Sequence, residues 1–359
     1  MPRHVSRVLL ALCGAVMLSG SLHATAFFQT NLASDVPLLA ANPDPNLKNP
    51  WGMSFSPTSP FWVSNQGSNN ATLYNGAGVP QALIVSTLPS PTGQVFNFTP
   101  SFLLPNGTKA TFIFDSLSGQ IAGWNGGTAA IVEASTPGAV YTGLAIGNNG
   151  AVDRLYASDF AGGHINVFDG LWAPTTVPGG FVDPNLPAGY SPYNIQAIAG
   201  KLYVQYATVA AGRPTTTANT GIVDVFDLNG NLLQRLVTNT NLNSPWGVTQ
   251  APAGFGDFAN DILVGNFGDG TISAFDPTTG AFQGKISDQA GHPITNSGLW
   301  ALNFRAVGSG FDPNTLFFNA GINDEVNGLF AEIQVVPEPS TFLLLALAAI
   351  PLAWRKVRG

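Results

Sequence analysis

The 359-residue sequence predicts an all-β fold, a six-bladed β-propeller closed by an N-terminal strand in the last blade. Three observations predict it. Short β-branched or aromatic runs, bounded by Gly, Asn, Asp and Pro, fill residues 27–336 without helical periodicity sustained over a dozen residues. The runs recur: Asn49-Pro50-Trp51-Gly52-Met53 returns as Ser244-Pro245-Trp246-Gly247-Val248, each followed by an apolar run ending in Asn and a strand closing on an aromatic plus Asn or Asp. The polar residue ending that apolar run reappears at intervals of 50, 44, 46, 61 and 53 residues, a spacing suited to four-stranded blades.

Composition bounds the class. Forty-five per cent apolar residues exclude a disordered chain, and only 9% charged residues argue against a coiled coil or long helical bundle. Thirteen Lys+Arg against 20 Asp+Glu leave no basic face for a nucleic-acid backbone, so no nucleic-acid partner is expected.

The first element, residues 1–26, has the three parts of a secretory signal: Arg3 and Arg7, an apolar stretch from Val8 to Leu18, and small residues closing on Ala24-Thr25-Ala26. Mature chain is expected to begin at Phe27. Cys13 lies too early, and behind Leu12 rather than a small residue, for a lipoprotein signal. Its removal leaves a domain without cysteine, held by its core rather than by disulfides. Residues 27–336 carry eight basic and 19 acidic side chains, a net charge of −11.

The six blades follow. Second strands are read at Phe61–Asn65, 111–115, 155–159, 202–205, Ile262–Asn266 and 316–319, and third strands at 73–75, 121–125, His164–Asp169, 221–227, 273–276 and 328–333. Asn75-Gly76, Asn125-Gly126, Asp169-Gly170 and Asn229-Gly230 supply hairpin turns. The long interval of 61 residues is ascribed to a polar insert, Ala207 to Thr220. The sixth copy has three strands of its own, and the segment Phe28 to Leu39 is expected to supply the fourth. A Pro-x-Gly lead into the blade, an aromatic second strand ending in Asp or Asn, and a third strand ending in Phe-Asp resemble NHL-type six-bladed propellers, and the whole resembles exported bacterial propellers with the tail described next.

That tail, residues 337–359, runs Pro337-Glu338-Pro339-Ser340, an apolar stretch from Phe342 to Trp354, then Arg355, Lys356 and Arg358. Thirteen helical residues rise only about 20 Å, short of the roughly 30 Å hydrocarbon core, so a permanent span is not expected. The order of motif, apolar segment and basic end resembles the PEP-CTERM sorting signal of Gram-negative bacteria that make extracellular polysaccharide. The resemblance implies recognition by an exosortase-type sorting enzyme through Pro337, Glu338 and Pro339. It further implies transient anchoring in the inner membrane and delivery to the cell envelope or the extracellular space.

Two sets of residues are candidates for function. Asn65, Asp115, Asp159, Gln205, Asn266 and Asn319 end the six second strands and are expected to recur around one face of the disc. Their oxygens suit a hard cation such as Ca²⁺, but Asp and Asn at strand ends more commonly cap loop N–H groups. Trp51, Trp246 and Trp300 open the inner strands of copies one, five and six, neighbours in a closed ring, each accompanied by Asn65, Asn266 or Asn319. Indole faces with amides suit sugar rings, but inner-strand tryptophans more often wedge between adjacent blades. His164 and His292, the only histidines after residue 26, are not spaced as a metal pair, and no Gly-x-Ser-x-Gly elbow occurs. The expectation is a non-enzymatic exported binder or scaffold engaging exopolysaccharide or a matrix component through Trp51, Asn65, Trp246, Asn266, Trp300 and Asn319. The alternative is a metal-dependent lactonase-like hydrolase with Ca²⁺ held by Asp115, Asp159, Asn65, Asn266 and Asn319.

Overall fold

The computed structural model describes residues 25–306 and 310–337. Residues 1–24 of the expected signal segment 1–26 and the tail from Glu338 onward, including Pro339, lie outside the described residues. Six antiparallel sheets form a ring. Their inner strands, Pro50–Ser54, Pro91–Phe96, Tyr141–Asn148, Tyr190–Ile198, Pro245–Gln250 and Leu299–Phe304, each contact the next, and the last returns to the first. Blade 1 shows the plan, with Phe61–Asn65, Asn70–Tyr74 and Pro80–Ser86 stepping outward from Pro50–Ser54.

Closure is as expected. Phe27–Ser34 pairs antiparallel with Leu329–Val335 as a further strand of blade 6, from Phe27 opposite Val335 to Ser34 opposite Leu329. The seam is locked at its end, where the Ser34 hydroxyl donates to the Gly328 carbonyl and Asp35 accepts from the Gly328 N–H and the Asn327 amide. Phe27 stacks on Phe258 of blade 5 at 5.8 Å, so the strand also fills core.

Both faces of each blade are covered by neighbours, which is why second strands such as Phe61–Asn65 are buried throughout and read as continuous apolar runs. The core accordingly divides into six clusters, one per blade interface. Trp62 with Phe112 and Phe114 marks the contact of blades 1 and 2, and Phe61 with Phe317 and Phe330 that of blades 6 and 1. The polar insert is ordered: the second strand of blade 4 runs on to Ala210 and turns back through Arg213–Pro214.

Candidate functional site

Every inner strand carries the same irregularity. Two residues oppose one on the second strand: Trp51 and Gly52 face Ser64, Thr92 and Gly93 face Asp115, Thr142 and Gly143 face Ser158, Tyr193 and Asn194 face Gln205, Trp246 and Gly247 face Gly265, Trp300 and Ala301 face Asn319. Such a bulge re-aims side chains. Its second position abuts the next inner strand. A Cβ on Gly52 would lie 2.5 Å from the Thr92 carbonyl oxygen, and one on Gly247 2.3 Å from that of Trp300.

The first position supplies an aromatic plug. Trp51 and Trp300 stack with centroids 3.6 Å apart, and Trp246 meets them edge-on at 6.0 and 5.5 Å. Tyr193 stands edge-on to Trp51 and Trp300, at 6.3 and 6.1 Å. The Trp246 indole donates to the Thr142 carbonyl at 2.8 Å, and the Trp300 indole to Asn49 Oδ1 at 2.9 Å. Buried Trp51 Nε1 has no partner among the described residues.

The three tryptophans thus converge as neighbours, but not as an open stacking surface. Trp51, Trp246 and Trp300 are 6%, 4% and 0% exposed, because the bulge turns each ring onto the others. Only Trp51 borders the large pocket described below.

The six polar residues likewise do not form one equivalent ring. Asn65, Asp159 and Asn266 pair with Pro50, Tyr141 and Pro245 at the start of the inner strand. Asp115, Gln205 and Asn319 stand one residue earlier, opposite the bulge. A one-residue offset sends a side chain to the other face of a sheet. The first set serves its own blade: Asp159 accepts the Val140 and Gly162 N–H groups, Asn266 accepts that of Asn243, and Asn65 donates to Asn70 and Thr72. In the second set, Asp115 Oδ1 accepts the Gly93 N–H at 2.6 Å and the Thr92 hydroxyl at 2.7 Å, while Asn319 donates to the Gly52 carbonyl of blade 1. Burial pushes the Asp115 carboxyl up to about 7. Asp115 and Asn319 are therefore separated from Asn65, Asp159 and Asn266, and the five do not fit a single Ca²⁺. Among the described residues no three His, Cys, Asp or Glu side chains gather as metal ligands. His164 and His292 are exposed.

A cavity of about 480 Å³ lies against the plug. Trp51, Tyr193, Phe160 and Phe267 give it an aromatic lining. Arg213, from the blade 4 hairpin, and Glu325, from the turn before the third strand of blade 6, bring opposite charges to it. Asn323, Asp324 and Glu325 all have left-handed backbone, with φ of 55°, 54° and 65°. Such residues cost roughly 1–2 kcal/mol each, and here the turn is held by the Asn49 amide donating to Glu325 Oε2 at 2.9 Å. The Tyr193 phenol is held well above its ordinary value by burial and by Glu325, with Arg213 opposing. It stays a hydrogen-bond donor.

Tyr193, Arg213 and Glu325 escape the sequence reading. Pro192-Tyr193-Asn194 is the blade 4 counterpart of Pro-Trp-Gly, a signal visible once the copies are aligned on the bulge. Arg213 sits inside the segment read as a polar insert, and Glu325 far from any motif; only the ring brings them together.

The fold and its axial site define a six-bladed β-propeller with an aromatic plug beneath a charged-rimmed pocket, on a chain whose residues 335–358 match the PEP-CTERM protein-sorting motif. The chain belongs to the family of Uncharacterized protein R648 of Acanthamoeba polyphaga mimivirus, with 32% identity over 317 residues covering 82% of this chain and 76% of that protein. Uncharacterized protein L690 of the same virus is 30% identical, over 88% of this chain and 87% of its own length. Among solved structures, a streptogramin B lyase superposes with a TM-score of 0.51 at 12% identity, covering 87% of this chain and 98% of that one. Virginiamycin B lyase from Staphylococcus aureus gives 0.51 at 14% identity, covering 86% and 99%. At these identities the likeness shows the fold alone. Among the described residues no helix is long and apolar enough to cross a membrane.

Proposed function

We propose that the protein is an exported, non-enzymatic binding propeller whose axial pocket holds a saccharide unit of an extracellular polysaccharide or matrix. Its tail would be read by an exosortase-type enzyme through Pro337, Glu338 and Pro339, after a transient stay in the inner membrane. The observation that carries the reading is the pocket itself: a cavity of about 480 Å³, within the usual range for small ligands, lined by the aromatic residues Trp51, Phe160, Tyr193 and Phe267 and rimmed by Arg213 and Glu325. Apolar ring faces meet the C–H face of a sugar, and fixed polar groups meet its hydroxyls. Trp246 and Trp300 support this surface from behind; Asn65, Asn266 and Asn319 hold the strands that present it.

Calorimetric titration of the purified protein with exopolysaccharide-derived oligosaccharides tests the reading. Phe267→Ala removes the half-buried ring of the lining, and should weaken binding by about 5- to 10-fold, the worth of one aromatic stacking contact. An unchanged affinity in Phe267→Ala, or no saccharide binding by the parent protein, would refute the assignment.

A further inference from the structure

We infer that the pocket selects an acidic sugar, a uronate residue whose carboxylate pairs with Arg213. The inference rests on the saccharide reading of the same pocket and narrows it to one chemical class.

Charge accounting singles out this guanidinium. Of the eight basic residues in 27–336, six are engaged within the fold. Lys48, Arg235 and Lys285 face carboxylates; Lys109 and Arg154 donate to neighbouring oxygens; Arg305 donates to the Ser56 and Ser59 carbonyls beneath three phenylalanine rings. Lys201 lies in an exposed hairpin at the start of its strand. Arg213 alone faces a cavity without a hydrogen-bond or ion-pair partner among the described residues. Arg213 is itself exposed and stands at the rim of that cavity, and in a domain of net charge −11 an unpartnered guanidinium there is an anion receptor.

The chain also fixes where that receptor stands. The second strand of blade 4 is ten residues long, against five to seven in the other blades, and the excess builds the hairpin. Val209 pairs with Pro214 and Ala210 with Arg213 across a two-residue turn, Ala211 and Gly212, both left-handed. The Thr215 N–H donates to the Thr208 carbonyl and the Val209 N–H to that of Gly189, tying the hairpin to its blade.

Its surroundings specify a sugar acid rather than a bare anion. Glu325 shares the pocket, and its carboxylate, fixed on one oxygen by Asn49, is placed to accept a hydroxyl and to repel a multiply charged phosphate. The Tyr193 phenol is a donor for ring and hydroxyl oxygens, and the aromatic lining that includes the half-buried Phe267 is the apolar face. A planar carboxylate meets the planar guanidinium in two parallel hydrogen bonds.

Titration of the purified protein with three matched oligosaccharides, of galacturonate, of galactose and of sulfated galactose, tests the assignment. The parent protein should prefer the galacturonate oligomer over the neutral one by about 10- to 100-fold, the worth of a charge-assisted pair. Arg213→Gln should collapse that preference to about parity, with Arg213→Lys between them because it keeps the charge and loses the fork. Equal affinity for acidic and neutral oligomers, or a preference that survives Arg213→Gln, overturns the inference and leaves the saccharide reading standing. A sulfated oligomer bound as tightly and with the same dependence on Arg213 overturns the carboxylate assignment. Binding of none of the three overturns the saccharide reading itself.

Discussion

Asp115 is the residue at which burial has the most measurable consequence. Its carboxyl is fully buried, with Oδ1 engaged by Thr92 and Gly93 and Oδ2 without a partner, and burial raises it to about 7. In the unfolded chain the same group titrates near 3.9. Between these values the unfolded state has released the proton and the native state has kept it, so stability contributed at low pH is lost as pH rises from about 4 to 7 and is flat above. Asp115→Asn keeps an acceptor for Thr92 and Gly93 and removes the titration. Urea unfolding at pH 4.5 and 8 should show the parent losing stability relative to Asp115→Asn, by an amount on the order of a few kcal/mol at most; an unchanged difference would mean that the carboxylate is accommodated ionised. The residue type was legible in the sequence, but its environment was not. Asp115 and Asp159 look equivalent at the ends of apolar runs, and the offset that sends one toward the bulge and the other toward a loop N–H exists only in the pairing register.

The blade is the unit the sequence displayed best, because its second strand is apolar on both faces and its turns carry Asn-Gly and Asp-Gly. The inner strand was less plain. Its bulge makes Gly52, Gly93, Gly143 and Gly247 necessary for close approach rather than for turn chemistry, and blades 4 and 6 replace the glycine by Asn194 and Ala301. Asn194 compensates by donating to the Trp246 carbonyl at 2.7 Å, so the exceptions conceal the rule from pattern matching. A Cβ at 247 would meet the Trp300 carbonyl oxygen at 2.3 Å and Leu302 Cγ at 2.9 Å. Gly247→Ala should therefore cost about 1–3 kcal/mol through forced separation of blades 5 and 6, whereas the reverse change in blade 6, Ala301→Gly, should cost under about 1 kcal/mol. Equal costs in denaturant unfolding would show that the position tolerates a side chain regardless of blade. The blade 4 hairpin illustrates the opposite difficulty: a segment that lengthens one repeat reads as an interruption, and its role is visible only when its end is seen beside Phe267 of blade 5 and Glu325 of blade 6 in one pocket.

For the whole molecule, the ring order explains why three tryptophans distant in sequence meet at the axis, and why, of the two roles the sequence allowed them, packing is the one adopted and an open sugar-stacking face is not. The same scale governs how a ligand arrives. A net charge of −11 over residues 27–336 sets a repulsive field for an acidic saccharide, while the attraction to Arg213 acts at contact inside the pocket. Salt separates the two, since screening extends about 30 Å at 0.01 M and only about 8 Å at physiological ionic strength. The association rate of a galacturonate oligomer should therefore rise by roughly a few-fold between those salt concentrations as distant repulsion is screened. The rate for a neutral oligomer should stay flat. Indole fluorescence in a stopped-flow instrument can follow both, because Trp51 borders the pocket. Proteins with basic binding faces show the reverse, losing association rate as salt is added. A rate that falls with salt here would mean that the field of Arg213 reaches out of the pocket and outweighs the acidic disc around it.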